Sequence, residues 1–199
     1  MLRRLAEHQP ESFAFSAENA AWCAEQMKKY PPGRQASAVI PILWRGQEQE
    51  GWVTKPMIEE VARILGMAPV RVLEVATFYT MFNLNPVGVH LVQVCTTTPC
   101  WLRGSDDVVA ACKKHIHPHQ GAISPDGTFS WVEMECLGAC VNAPMILIDK
   151  DPFEDLDGPK MEAILETIRR GEQPKVGPQN GRRSSEPEGG ATTFNEVQS

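Results

Sequence analysis

The chain has 199 residues, of which 42% are hydrophobic, and its formal net charge at pH 7 is −6. This size and apolar content are sufficient for one or two small domains with buried cores. The acidic balance argues against nucleic acid as a partner, because nucleic-acid binding requires a basic surface. The sequence lacks the run of about eighteen apolar residues that a membrane span needs, and it lacks a secretory signal, so we predict no direct membrane insertion.

Helical periodicity dominates the first third of the chain. The predicted helices run from Ser16 to Tyr30, from Ser37 to about Gln49, from Thr54 to Gly66, and onward from Pro69. Ser16 and Thr54 are N-cap residues, and Gly66 is a stop signal. We therefore predict an N-terminal helical bundle over residues 1–83. Its last two helices resemble a helix-turn-helix, but three bases balance three acids between Lys55 and Glu74, which favours packing within the bundle.

Beyond residue 83 the pattern changes to a β-α-β-β-α order. The predicted elements are a strand ending at Cys95, a helix capped by Ser105, strands over Thr128–Glu135 and Met145–Ile148, and a helix from Pro159 to Gly171. This order predicts an α+β or α/β domain over residues 84–171, with a small sheet and helices on one or both faces.

The last 28 residues, 172–199, lose the apolar periodicity of the preceding elements. Gly, Pro, Ser, Gln and Arg dominate, and the large apolar residues are Val176, Phe194 and Val197. A segment of this composition cannot bury enough apolar surface to offset its ordering entropy. We predict a disordered or partner-bound tail.

Two short-spaced cysteine pairs carry most of the chemical information in this chain. Cys95 and Cys100 form C-T-T-T-P-C, and Cys136 and Cys140 form C-L-G-A-C. Four thiolates brought together by a fold are the ligands of a [2Fe–2S] cluster or of structural zinc. The intervals are looser than the two-residue knuckle typical of zinc, so we favour a [2Fe–2S] cluster with one pair on each iron. Zinc is the second alternative, and disulfides are third because nothing indicates secretion.

The residues beside these cysteines fit a buried redox site. The run Thr96–Thr98 offers hydroxyl and N–H groups to cluster sulfurs, although such a run is also typical of a turn after a strand. Pro99 stiffens the loop before Cys100, and Gly138 lets the backbone pass close to the cluster.

Other candidate residues are assigned to solvent or to the core. The histidines of the H-x-H-x-H motif, His115, His117 and His119, are assigned to a solvated loop and not to a metal site. Cys23 and Cys112 fall on apolar helix faces and are predicted core residues. The chain lacks G-x-G-x-x-G, P-loop and C-x-x-C motifs, so we predict no nucleotide binding, no dithiol exchange and no catalytic residue on this chain.

The segments around both cysteine pairs resemble one protein family. The sequences VQVCTTTPCWLRGSDD and VEMECLGACVNAPMILID, with EVATFYTMFNLNPVG upstream, are similar to the thioredoxin-like [2Fe–2S] subunit of respiratory NADH:quinone oxidoreductase, complex I. This is the E subunit of the bacterial complex and the 24 kDa subunit of the mitochondrial one. The resemblance extends from about Phe13 to Gly171, and both cysteine pairs match the family motif.

The resemblance implies a cofactor, a partner and a location. It implies one [2Fe–2S] cluster per chain, held by Cys95, Cys100, Cys136 and Cys140. It implies electron transfer beside a larger flavin subunit that binds FMN and NADH, with the cluster near the flavin but off the main path to quinone. Attachment through that subunit to the peripheral arm places the chain on the cytoplasmic side of the bacterial inner membrane, or on the mitochondrial matrix side. NADH dehydrogenase activity then belongs to the complex.

Other functions remain open at this point. Related subunits occur in NAD-linked hydrogenases and formate dehydrogenases, and a zinc-stabilised interaction module would use the same four thiolates. A DNA-binding regulator that senses redox state through the cluster would rest on the helix-turn-helix resemblance alone, and the acidic balance argues against it. The tryptophans are Trp22, Trp44, Trp52, Trp101 and Trp131, more large anchors than a small core requires. We expect one or two of them at the contact with the flavin subunit.

Overall fold

The chain divides into two compact units between Val87 and Gly88. The computed structural model describes residues 3–187, 189–190 and 193, so Phe194 and Val197 of the predicted tail lie outside the described residues. We call residues 3–87 the helical unit and residues 88–187 the sheet unit. The predicted boundaries after residues 83 and 171 remain predictions. None of the helices in the described ranges has both the length and the apolar character of a bilayer span.

The helical unit follows the predicted pattern closely. Its elements are α1 (Ala17–Lys28), a 3-10 helix (Gln35–Ala38), α2 (Val39–Glu50), α3 (Lys55–Leu65) and α4 (Pro69–Phe78). The Ser16 hydroxyl caps α1 by accepting a hydrogen bond from Asn19 N–H at 3.2 Å, and Gly66 ends α3 with a φ of 63°. The buried side chains on facing helices include Ile42, Leu43, Met57, Val61 and Val72. Amphipathic helices thus close one apolar core.

The two helices that resemble a helix-turn-helix carry internally paired charges. Arg63 lies 2.7 Å from the Glu60 carboxylate, and Arg71 lies 2.9 Å from that of Glu74. These exposed ion pairs offset the positive charge that contact with DNA phosphates would require. The structure thus agrees with a packing role for α3 and α4.

Replacement of Thr54 by alanine is expected to lower the free energy of unfolding by about 1 kcal/mol. Thr54 is 1% exposed, and its hydroxyl oxygen accepts a hydrogen bond from Met57 N–H at 3.2 Å. The variant leaves a buried N–H at the start of α3 without a partner. Ser16→Ala is the control, because water can replace the hydroxyl at that exposed cap. Urea unfolding followed by circular dichroism measures both losses, and equal losses would contradict the role of burial.

The sheet unit is a mixed sheet with helices packed on it. Its strands are β1 (His90–Cys95), β2 (Phe129–Met134), β3 (Ile146–Ile148), β4 (Asp151–Glu154) and β5 (Gly177–Pro178), in the spatial order β2-β1-β3-β4-β5. The β1/β2 and β4/β5 pairs are parallel, and the β1/β3 and β3/β4 pairs are antiparallel. The helices are α5 (Thr98–Leu102), α6 (Ser105–His115), a 3-10 helix (Cys140–Asn142) and α7 (Gly158–Arg169). The core joins β1 and β2 to α6 and α7 through Val92, Phe129, Trp131, Met161 and Leu165.

The structure differs from the predicted element order in three places. Gly104, with a φ of 95°, occupies the N-cap position of α6, and Ser105 is the first helical residue, with a buried hydroxyl that has no hydrogen-bond partner. The threonine run was not predicted as part of a helix, but Thr97 occupies the N-cap position of α5 and Thr98 is its first residue. Strands β4 and β5 were not predicted, because four and two residues are too short to show alternation.

Candidate metal centre

The ends of β1 and β2 place both cysteine pairs at one edge of the sheet. Cys95 is the last residue of β1 and lies in register with Met134, the last residue of β2. Cys136 follows two residues beyond that strand end. Because parallel neighbours end at the same edge, the two loops lie side by side. Helix α5 then carries Cys100, and a 3-10 helix begins at Cys140.

Backbone N–H groups connect the two cysteine loops through sulfur. Backbone hydrogen bonding from Thr97 and Leu137 acts to lower the pKa of the Cys95 thiol, and that from Met145 acts to lower the pKa of Cys100, against the larger effect of burial. The Thr97 hydroxyl oxygen also lies 3.1 Å from the Cys95 sulfur. Leu137 belongs to the second cysteine loop, so its contact ties that loop to the first pair. Hydrogen bonds to sulfur favour the thiolate and tune a cluster's potential.

The four sulfur atoms lie as two pairs with different exposure. Cys95 and Cys100 are each 1% exposed, whereas Cys136 and Cys140 are exposed and their sulfur atoms are 3.5 Å apart. All four are free thiols. Among the described residues, no group of three or more His, Cys, Asp or Glu side chains is arranged to hold a metal ion. Two pairs of thiols are the donor set of a [2Fe–2S] cluster, which takes two thiolates on each iron.

Burial and hydrogen bonding set the acidity of the buried pair. Burial raises the pKa of the Cys95 thiol, but hydrogen bonds from Thr97, Leu137 and Cys100 outweigh it, so this pKa lies below its ordinary value. Burial beside the Cys95 sulfur raises the pKa of Cys100 to about 12. Cys95 therefore ionises first, and metal binding must displace the proton of Cys100.

Helix α5 is the part of the site that the sequence pattern missed. Pro99 lies in its first turn, where a missing N–H costs nothing, and Trp101 N–H donates to the Thr97 carbonyl oxygen at 2.9 Å. The turn buries Cys100 and leaves the neighbouring indole exposed. A proline at the second position after a threonine was the available signal for this helix start. Gly138 has a φ of 92°, a left-handed conformation that favours glycine, and among the described residues no atom other than those of its chain neighbours lies within 4 Å of the position that a side chain would take. Its close approach to the cluster stays a prediction.

The remaining candidate residues divide between the core and the surface. Cys23 and Cys112 are 1% and 0% exposed, which confirms their core assignment, and burial raises their pKa values to about 11 and about 12. Assignment of all three histidines to a solvated loop was wrong for His115. That residue ends α6, with its Nε2 2.9 Å from a Glu162 carboxylate oxygen. His117 Nδ1 accepts a hydrogen bond from the N–H of the third histidine at 3.1 Å.

The tryptophans also differ in exposure. Trp131 is 1% exposed and Trp101 is 56% exposed, while Trp22, Trp44 and Trp52 are half-buried. Burial in the core therefore explains the presence of one of the five tryptophans, Trp131. Trp101, which lies directly after a cysteine of the first pair, is the best candidate for a contact with another protein.

The family of the chain follows from comparison with known proteins. Residues 23–169 match the family model described as thioredoxin-like [2Fe-2S] ferredoxin, and the chain belongs to this family. The matched range includes both cysteine pairs. It confirms the predicted fold class and the predicted cofactor, one [2Fe–2S] cluster. The assignment of the four cysteines as the cluster ligands stays a prediction.

Individual relatives cover most of the chain. The NADH-quinone oxidoreductase E 1 subunit of Rhizobium meliloti (strain 1021) is 56% identical over 97% of this chain and 72% of its own length. The mitochondrial NADH dehydrogenase [ubiquinone] flavoprotein 2 of Dictyostelium discoideum is 44% identical over 94% of this chain and 76% of its own length.

A solved structure with a similar fold is the NAD+-reducing [NiFe]-hydrogenase in its H2-reduced state. It aligns with a TM-score of 0.57 and 18% identity over 67% of this chain. This chain spans 22% of the hydrogenase chain, about a fifth of its length. At this identity the likeness concerns the fold alone.

Proposed function

We propose that this chain is the electron-transfer subunit of an NADH:quinone oxidoreductase (complex I), and that it corresponds to the bacterial E subunit. The observation that carries this proposal is the 56% identity to such a subunit over 97% of the chain, a range that includes all four cysteines. The mitochondrial relative supports the same class of complex. The chain is thus part of an oxidoreductase, and the enzyme activity belongs to the assembled complex.

We propose Cys95, Cys100, Cys136 and Cys140 as the cluster ligands. When bound, the [2Fe–2S] cluster supplies a one-electron carrier. The buried pair anchors it within the sheet unit, where N–H groups face the sulfurs. The exposed pair keeps one side of the site at the protein surface, as exchange of electrons with a partner requires.

The partner that fits this surface is a flavin subunit carrying FMN and the NADH site, itself part of the peripheral arm. Exposed apolar side chains lie beside the cysteines: Trp101 and Leu102 follow Cys100, and Val141 follows Cys140. They are 56%, 71% and 64% exposed. Exposed aromatic and aliphatic groups around a functional site are typical of a protein contact. This chain then contributes the cluster, and hydride removal from NADH takes place on the partner.

The proposed location follows from the proposed complex. A bacterial complex I places this subunit on the cytoplasmic side of the inner membrane, and the mitochondrial alternative places it on the matrix side. Its association with the membrane is then indirect, through the other subunits. Fractionation of a tagged chain tests this, because it should sediment with membranes and be released by salt or detergent together with its partners.

Anaerobic isolation of the tagged full chain from its own organism tests the proposed function. The expected complex contains FMN, reduces quinone with NADH, and shows the rhombic S = 1/2 EPR signal of this cluster after dithionite reduction. NAD+ reduction driven by H2 or by formate would instead indicate the hydrogenase or formate dehydrogenase alternative. One zinc per chain without acid-labile sulfide would contradict the proposal.

Trp101→Ala is expected to weaken binding to the FMN-loaded flavin subunit by about tenfold or more. An exposed indole beside the cluster has the character of an interface hot spot, whose truncation typically costs about 2 kcal/mol or more. Val89→Ala is the control, because Val89 is 76% exposed but precedes the opposite end of β1. Surface plasmon resonance with the cluster-loaded chain measures both. Equal affinities of the two variants would contradict a contact at Trp101.

A further inference from the structure

The segment after α7 returns to the candidate metal centre. Strand β5, Gly177–Pro178, lies parallel to β4, and Gln179 N–H donates to the Glu154 carbonyl oxygen at 3.0 Å. This pairing brings the following residues to the loop after Cys140. The family match ends at residue 169, so this segment lies outside it. We call residues 177–187 the C-terminal strap.

Arg182 of the strap forms a shielded ion pair with Asp155. Its Nε donates to Oδ2 of Asp155 at 2.8 Å, and its Nη2 donates to Oδ1 of the same carboxylate. The side chains of Arg182 and Asp155 are 11% and 8% exposed. A guanidinium that binds a carboxylate through two parallel hydrogen bonds holds one geometry, and shielding from water strengthens that preference.

The strap also binds the two residues that follow Cys140. Arg182 Nη2 donates to the Val141 carbonyl oxygen at 2.9 Å. Asn142, which is 2% exposed, donates from Nδ2 to the Ser184 carbonyl oxygen at 3.1 Å. The cysteine loop is therefore held by side-chain and backbone groups that lie about 40 residues further along the chain, as the separations of 41 and 42 show.

Asp155 is itself tied to the same loop. Its N–H donates to the Asn142 carbonyl oxygen at 2.8 Å, and its φ is 55°, in the left-handed region that is unfavourable for residues other than glycine. Such a conformation persists where surrounding contacts determine it. The contacts here include the Asn142 carbonyl, the Arg182 guanidinium and Lys160, whose Nζ donates to the Asp155 carbonyl oxygen at 2.9 Å. Arg103, Cys140, Asp155 and Arg182 also line one surface cleft.

We propose that Arg182 is a positioning residue for the [2Fe–2S] cluster. Together with Asp155 it fixes the loop Cys140–Asn142 and thereby the direction of the Cys140 sulfur. This inference rests on the proposed function in taking Cys140 as a ligand. Groups that orient a metal ligand from outside the coordination sphere typically change metal affinity by about 10- to 100-fold when removed. The strap is then part of the cluster site, although it supplies no ligand.

Arg182→Ala in the full, cluster-loaded chain is expected to release iron to a chelator about ten times faster than the wild type. The g values of the reduced cluster are expected to shift, because the Cys140 sulfur changes direction. Arg182→Lys keeps the positive charge but cannot bind the Asp155 carboxylate through two parallel hydrogen bonds. Its rate of iron release should therefore lie between that of the wild type and that of Arg182→Ala. Arg183→Ala is the matched control, because that neighbouring arginine is exposed. If Arg182→Ala releases iron at the wild-type rate and its EPR spectrum is unchanged, the proposal is overturned.

Hydrogen exchange of the wild-type chain tests the same coupling without a variant. Removal of iron is expected to speed amide exchange in residues 177–187 as well as in 140–143, because coupling between two sites is reciprocal. Exchange in α1 serves as the internal reference. Unchanged exchange in the strap would overturn the role of Arg182. A chain without iron contradicts the proposed function, whereas two irons with equal release rates from all variants contradict only the positioning role.

Discussion

Cys136→Ser is expected to remove most of the bound iron and the EPR signal of the reduced protein. A serine hydroxyl is far less acidic than a thiol and is a poorer ligand for iron in a site built for thiolates, so one iron is held more weakly. Cys136 is exposed, so the substitution leaves the packing of the sheet unit intact and the loss reports ligation. Iron and acid-labile sulfide content, with EPR after dithionite reduction, measure the effect on anaerobically purified protein.

Cys112→Ser is the control for that experiment. Cys112 is 0% exposed and lies in α6, within the main core of the sheet unit. The buried cysteines Cys95 and Cys100 belong to a separate group of apolar residues. Its substitution is expected to lower stability by about 1–3 kcal/mol, through a buried hydroxyl, and to leave the EPR spectrum unchanged. Equal loss of iron in both variants would contradict the assignment of the ligands.

Trp131→Ala is expected to reduce the free energy of unfolding of the sheet unit by about 3–5 kcal/mol. Trp131 is 1% exposed, stands opposite Val92 of β1, and donates from Nε1 to the His117 carbonyl oxygen at 2.7 Å. Truncation removes a large apolar side chain, leaves a cavity between β2 and its helices, and deprives that carbonyl of its donor. Because β2 leads into Cys136, iron content should fall as well.

Trp101→Ala provides the comparison for this loss of stability. Trp101 is 56% exposed, so its removal should change the free energy of unfolding by less than about 0.5 kcal/mol. Anaerobic urea titration followed by circular dichroism measures both variants. A small change for Trp131→Ala, or equal changes for the two tryptophans, would contradict the packing described for the sheet unit.

Local signals were sufficient for α1 and α3. The caps at Ser16 and Thr54 and the left-handed glycine at Gly66 act within three or four residues, so the sequence pattern located α1 and α3 to within one or two residues. Periodicity likewise located β1 and β2, because each has buried residues on its core face. A one-residue error at Ser105 arose because a glycine with positive φ, rather than the serine, occupies the cap.

Short or non-local elements could not be predicted in this way. Helix α5 has five residues, and β5 has two, so neither shows a period. Strand β4 contains Pro152, which argues against a strand unless its position in the sheet is known. Pairing with β4 gives β5 its conformation, and local composition contains no information about that partner.

The sequence by itself determined the chemistry of this protein: two cysteine pairs at spacings that fit a [2Fe–2S] cluster, and flanking segments that identify the family. The tertiary structure decided how those pairs meet, because the parallel pairing of β1 with β2 joins strand ends that are 39 residues apart, Cys95 and Met134. It also decided that Arg182 reaches Val141. Such contacts depend on how distant segments of the chain pack. Periodicity and capping signals act over a few residues, so they contain no information about that packing.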